Sequence, residues 1–246
     1  MPGDAWSDPV TEMSAVDAQW AAELMEKRRR DYARYSPVFW RPAEGVVDLH
    51  AQFLRGRITA ETTVALRTEH GFIIGERRGS KGFVDDFALE PPGEWDSDGA
   101  ALLLAAAERL AAAHAVATLV VVTAQADLAK SGMLARLSLT VAEQWWVREL
   151  QPLGPAAAPG RFSGPGFSGT LGPAPGVYDP GGPVFQNDRA GEHTDVDAIE
   201  RAAAARGAVL AVLPAAPDPA LAPELSRRGW HVASDWYLGI PESPMR

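Results

Sequence analysis

Two adjacent carboxylates, Asp85 and Asp86, interrupt an otherwise apolar run, Gly82-Phe83-Val84-Asp85-Asp86-Phe87-Ala88-Leu89. A carboxylate in the middle of a strand is costly unless it is paired or put to use. The use open to it is proton transfer: either residue, set beside an amine, would take its proton. Strand alternation sends one to each face of a sheet. The competing expectation is that one faces solvent while the other pairs with Arg77 or Arg78. Asp127 and Lys130 form a second small group at the start of a helical stretch, where Asp127 suits an N-cap. Glu143 is a further carboxylate, expected to be structural. The sequence has no cysteine and no His pair at i, i+4. Ser163 in Gly160-Arg161-Phe162-Ser163-Gly164 lacks the apolar strand that leads into a nucleophile elbow. Metal and nucleophile chemistry are therefore not expected.

These side chains need a frame. Helical spacing is read over 18–35 and 46–57, then three short strands at 62–66, 71–77 and 82–89. A polar loop, 90–98, leads into an alanine-rich helix over 99–115 with Leu102, Leu103, Ala106 and Leu110 inward. The Leu-Val-Val-Val run in 118–123 reads as a strand covered on both faces. A helix over 128–137 and a strand over 139–150 follow. Residues 152–182 are rich in proline and glycine, a linker composition. Short strands at 167–170 and 184–186 fit near it. Helix, strand, helix and strand then follow at 195–206, 208–213, 219–228 and 231–240.

A gapless shift of 91 residues matches Leu119 with Leu210, Val121 with Val212, Asp127 with Asp218, Leu134 with Leu225 and Trp145 with Trp236. An aligned Trp and an aligned capping Asp are not compositional coincidences, so duplication of a strand-helix-strand unit is expected. Such a unit cannot bury its sheet alone, and the second copy should pack beside the first. The expected organisation is a domain over 1–151, a linker over 152–182 and a truncated copy over 183–246.

Composition bounds the function. With 46% hydrophobic and 22% charged residues the 246-residue chain is an ordinary globular one. A net charge of −9 opposes binding a phosphate backbone, so nucleic acid is an unexpected partner. Asp4 and Asp8 stand where a secretory signal would be basic, and the apolar window 100–126 holds Glu108, Arg109 and His114. A cytoplasmic protein without a membrane span is expected. The Arg28-Arg29-Arg30 run reads as a solvated helix face, and Tyr32, Tyr35, Phe39 and Trp40 as packing residues that also suit a cleft lining.

The order of elements, with the Gly82–Leu89 string, Trp95, Gly99-Ala100-Ala101-Leu102-Leu103 and Val141-Ala142-Glu143-Gln144-Trp145-Trp146-Val147, resembles the GNAT superfamily of acyl-CoA-dependent N-acyltransferases. The resemblance covers 18–150 and, in truncated form, 184–240. It implies an α/β fold with a GNAT-like mixed sheet and a C-terminal half-copy. It also implies acetyl-CoA or another acyl-CoA as donor and a small-molecule or peptide amine as acceptor, with an acyl carrier protein as an alternative source of the acyl group. The thioester would lie between the diverging fourth and fifth strands against Phe87, Ala88 and Leu89. Its pyrophosphate would meet Trp95, Asp96, Ser97, Asp98, Gly99 and Ala100, and its pantetheine arm Asp127 and Lys130. Asp85 or Asp86 would be the base. Two departures from the family pattern stand out. Glu90, Glu94, Asp96 and Asp98 crowd the pyrophosphate loop with negative charge. Leu134 replaces the Tyr that often serves as general acid. The alternative is thus a non-catalytic binding or scaffold protein on the same architecture.

Overall fold

The computed structural model describes residues 9–91, 93–188, 190–191 and 194–242; the Asp4 and Asp8 reading lies outside them. Among the described residues one mixed sheet of eleven strands organises the fold. The strands are β1 (Thr11–Glu12), β2 (Thr63–Arg67), β3 (Gly71–Arg78), β4 (Lys81–Leu89), β5 (Thr118–Ala124), β6 (Thr140–Glu149), β7 (Gly160–Gly164), β8 (Phe167–Gly172), β9 (Val184–Asn187), β10 (Leu210–Ala215) and β11 (His231–Gly239). The helices are α1 (Ala18–Tyr32), α2 (Val46–Ile58), α3 (Ala100–His114), α4 (Leu128–Arg136), α5 (Val196–Ala205) and α6 (Leu221–Arg227). Spatial order is β1-β2-β3-β4-β5-β11-β6-β10-β9-β8-β7.

From the central β11/β6 pair the pattern reads alike in both directions: one antiparallel neighbour, then a parallel pair, then an antiparallel meander. The last strand of each half crosses over, since β11 lies between β5 and β6, and β6 pairs with β10. The 91-residue spacing places Trp145 and Trp236 on adjacent strands, their rings stacked with centroids 4.8 Å apart. In β10 the match slips by one residue. Val147 pairs with Val212 whereas its counterpart Leu238 pairs with Val120, so Val212 takes the place of Val120 rather than Val121. Carried into β9, this register sets Asp188 at the position of Asp85, and Asp188 is bonded to Arg161 and Ser168.

The stretch 152–182 is more than a linker. It holds the β7/β8 hairpin, which pairs with β9, and then a proline-rich strap that returns to the first half. Pro42 bridges to Tyr178, the Ala43 amide bonds Val177 and the Asp179 amide bonds Arg41. Glycine, proline and small polar residues hide a strand here because an edge hairpin requires little apolar patterning.

Each face has its own core. Leu102, Leu103 and Leu110 of α3 and Met133 and Leu134 of α4 pack on Val84, Phe87 and Val121. Ile199 and Ala203 of α5 and Leu225 of α6 pack on Phe185 and Leu213 in the same way. On the other face α1 and α2 cover β2 to β4 through Ala22, Leu24, Leu54, Phe72 and Ala88. The rest of that face is roofed by the strap and by the segment holding Phe39 and Trp40. A cleft remains beneath this roof.

Candidate active site

The pleat of β4 is broken where its chemistry lies. Ile73 pairs with Phe87 and Gly75 with Val84, so Asp85 and Asp86 together oppose Ile74 alone. This bulge adds a residue and turns both carboxylates toward the α1/α2 side, where alternation in a regular strand would have divided them. The expected pairing with Arg77 or Arg78 is not what holds Asp86. His50 of α2 lies 2.9 Å from its Oδ1. Arg29 of α1, 2% exposed, approaches the His50 Nδ1 at 3.2 Å. A guanidinium only donates, so Nδ1 accepts and the Nε2–H is the donor to Asp86. Arg29 also donates to the Tyr178 hydroxyl at 3.4 Å.

The two carboxylates are driven apart electrostatically. Asp85 is exposed along the cleft, yet desolvation by the surrounding walls and the charge of Asp86 push its carboxyl up, against the pull of Lys130, Arg29 and Arg78. Burial also acts upward on Asp86, but His50, Arg29 and Arg57 outweigh it and hold that carboxyl below the usual range. Neighbouring carboxylates held at different proton affinities are a usual basis for dividing acid and base roles. Asp85 makes no hydrogen bond or ion pair among the described residues, and its side chain opens into the cleft.

Two cavities of about 380 and 390 Å³ meet at Asp85 and Tyr178. The first is aromatic, lined by Phe39, Trp40, Phe83, Trp145, Trp236 and Tyr178. The second runs along Met25, Arg29, His50, Phe53 and Asp86. Burial raises the Tyr178 hydroxyl to about 12, opposed by Arg29, so it remains a neutral hydrogen-bonding group at ordinary pH.

Behind Asp85 the parallel pair β4/β5 separates. Its register ends at Val84 opposite Val121, leaving the next carbonyls of the two strands facing a slot. Lys130 enters that slot from α4. Its Nζ donates to the carbonyls of Phe87 at 3.2 Å and Val122 at 2.9 Å, and it lies 5.0 Å and 5.7 Å from the ring centres of Phe87 and Trp95. Burial lowers its pKa to about 8 although Asp127 and Asp85 favour its charge. Asp127 caps α4 by accepting from the Lys130 amide, and its other oxygen accepts from Arg28 at 2.6 Å and the Tyr32 hydroxyl at 2.7 Å. Its oxygens are thus engaged in tying α1 to α4.

The acidic loop is equally self-contained. Glu90 pairs with Lys27, Asp96 with Arg136, and Asp98 turns inward to accept from the Glu94 amide. Residues Trp95–Gly99 form a π-helical turn in which the amides of Asp98 and Gly99 bond the Glu94 carbonyl and that of Ala100 bonds Trp95. Trp95 packs edge-on against Phe87, 4.9 Å between centroids, and Gly99 lies under its ring. Ser97 is half-buried. Ala88 and Leu89 pair with Phe72 and Gly71 of β3 and bury their side chains. The structure therefore gathers Asp85, Asp86, Phe87, Asp127 and Lys130 at one place and leaves the turn 95–100 bonded to itself.

Sequence reasoning missed His50, Arg29 and Tyr178 as site residues. His50 carried a signal, a polar residue among the buried Val46, Ala51 and Leu54 of α2. Arg29 sat in what read as a solvated basic face, and Tyr178 in what read as linker. The paired Trp145 and Trp236 were marked by their repeat spacing.

No family model matches the chain, and no curated protein matches it in sequence. Solved structures do match. A provisionally assigned acetyltransferase from Thermoplasma acidophilum superposes with a TM-score of 0.57 at 11% identity, over 94% of this chain and 98% of that one. Another, from Pyrococcus horikoshii, gives 0.53 at 8% identity over 99% and 93%. This chain shares the fold of these two structures. A GCN5-related N-acetyltransferase from Sphaerobacter thermophilus matches at 0.49 and 14% identity over 94% of each chain. Identities this low speak for the architecture, and the chemistry of this chain rests on its own residues. Among the described residues no group of three or more His, Cys, Asp and Glu side chains is placed to hold a metal ion, and no helix is long and apolar enough to cross a membrane.

The His50–Asp86 pair has a measurable consequence. A carboxyl held below its ordinary 3.8 contributes stability that is present above that pH and lost as pH falls through its folded value. Asp86→Asn is expected to cost about 1.5–3 kcal/mol at pH 7, the scale of a buried hydrogen bond to a charged group. The gap to the wild type should narrow below pH 3.8. Urea unfolding of both proteins at pH 7 and pH 3 reads this difference.

Proposed function

We propose that this chain transfers an acyl group to a primary amine held in the aromatic cleft, with Asp85 accepting the amine proton. The observation that carries this reading is the unpaired Asp85 carboxylate on the bulge of β4, open to the cleft and raised in proton affinity by desolvation within it and by Asp86. An alkylammonium is attracted to the faces of aromatic rings and to a carboxylate, and the cleft offers Trp40, Phe83, Trp145 and Trp236 around Asp85. Its volume and lining suit an amine carried on a flat apolar body. Asp85 takes the proton, freeing the nitrogen lone pair for attack. Asp86 remains charged through His50 and Arg29 and sustains the basicity of its neighbour.

An acyl-CoA does not fit the residues as they stand. The slot between β4 and β5 is filled by Lys130, four amides around the π-helical turn are spent within it, and Asp96 is tied to Arg136. The filled slot favours a second reading, in which the protein binds amines without transferring to them.

The experiment is a screen of primary amines with acetyl-CoA, following thiol release. Arylalkyl amines such as phenethylamine are expected to be acylated ahead of polyamines and amino sugars. Binding of the same amines with no thiol release from the wild type or from Lys130→Ala supports the second reading.

A further inference from the structure

We propose that Lys130 is a built-in occupant of the β4/β5 slot and sets donor access, so that an acyl donor enters only by displacing its side chain. The inference rests on the acyltransferase reading for the identity of the displaced partner, and on the geometry for the rest. Strands that part leave backbone groups that must find partners. An extended amide-bearing arm is one way to meet them. Here the Lys130 amine meets them instead, bonding Phe87 on one strand and Val122 on the other. Its side chain is 2% exposed and lies against Phe87 and Trp95, so no arm passes while it is in place. A small cavity of about 20 Å³ is all that remains between Lys130, Asp85, Thr123 and Tyr32. That is room for about one water molecule, which needs ~10–15 Å³ of this kind of space, and far too little for an extended arm.

The charged groups facing Lys130 are Asp85 and Asp86 from β4, Asp127 from the α4 cap, and Arg28 and Arg29 from α1. Asp127 is held by Arg28 and Tyr32, so it does not draw the amine out. Displacement moves the amine from an apolar slot, where its pKa is about 8, to solvent, where it is near 10.5. The displaced state therefore binds protons more tightly. Below pH 8 both states are protonated and donor affinity is independent of pH. Above it, the slot form is stabilised by losing its proton, so donor affinity should fall as pH rises toward 10.5.

The test is calorimetric titration with S-acetonyl-CoA, a stable ketone analogue of acetyl-CoA, from pH 7 to 9.5. Lys130→Ala should bind at least about tenfold more tightly than the wild type, and its affinity should not change with pH. Lys130→Met keeps the bulk without the charge and should bind no better than the wild type. The wild type should be either too weak to detect or weaker at pH 9.5 than at pH 7. Lys130→Ser, which retains a donor for one carbonyl, replaces the alanine variant if that does not fold. Equal binding by wild type and alanine variant, wild-type affinity that is detectable and flat with pH, or a folded small-residue variant that binds nothing would each overturn the proposal. The readout is binding, so an absence of amine transfer in a Lys130→Ala protein that binds the analogue counts against the acyltransferase reading alone.

Discussion

Asp85→Asn should lower kcat/KM for amine acylation by about a hundredfold or more, the scale of a positioned general base. The loss should appear in both kcat and KM, since Asn keeps the shape of the cleft floor but supplies neither the base nor the charge that attracts the ammonium. The fold should be retained, because the Asp85 side chain bonds no described residue and its removal leaves no buried partner unsatisfied. Asp86→Asn provides the contrast. It leaves the Asp85 base in place but removes the charge that raises it, so its effect on transfer should be smaller and its effect on stability larger. Steady-state kinetics of the two variants, with thermal melts alongside, separates a residue that meets the amine from one that acts through its neighbour.

A chain ending at Gln151 should give no soluble folded monomer. The reason is the crossing of the last strands: β11 lies between β5 and β6, so truncation removes the strand that both of them pair with. β6 would also lose β10 on its other side. Bare strand edges and the uncovered faces of Trp146 and Val147 are a template for aggregation. Size-exclusion chromatography and circular dichroism of the 1–151 fragment decide the matter. A monomeric fragment that unfolds cooperatively would show that the halves fold independently despite the shared sheet.

Most of this architecture could be read from the sequence because it is periodic. The Val-, Ile- and Phe-rich runs of β2 to β4, the leucine stripe of α3 and the apolar run of β5 mark their elements within a few residues. The recurrence of tryptophan at a spacing of 91 residues was equally legible, and Trp145 and Trp236 face the same cleft. Local patterning could not show which strand inserts where. Nor could it show the β7/β8 hairpin, whose Gly160–Gly172 sequence looks like a loop because an edge hairpin buries few side chains.

The site was legible in type and less so in geometry. Asp85 and Asp86 were recognisable as costly mid-strand charges, but a bulge is set by tertiary pairing, and it moved both to one face. Lys130 was placed near the donor by resemblance, whereas the structure shows it inside the slot. That depends on the strands parting after Val84 and Val121. The loop acids had no basic neighbour in sequence and found Lys27 and Arg136 from α1 and α4. Long-range partners of this kind leave no local trace.

The decisive measurement is calorimetric titration of phenethylamine into the wild type and Asp85→Asn, with phenethyl alcohol as the neutral control. The wild type should bind the amine and prefer it to the alcohol, while Asp85→Asn should lose at least about tenfold in amine affinity and little for the alcohol. Equal amine affinity in the two proteins, or no amine binding by the folded wild type, would contradict the assignment of Asp85 and the aromatic cleft as an amine site.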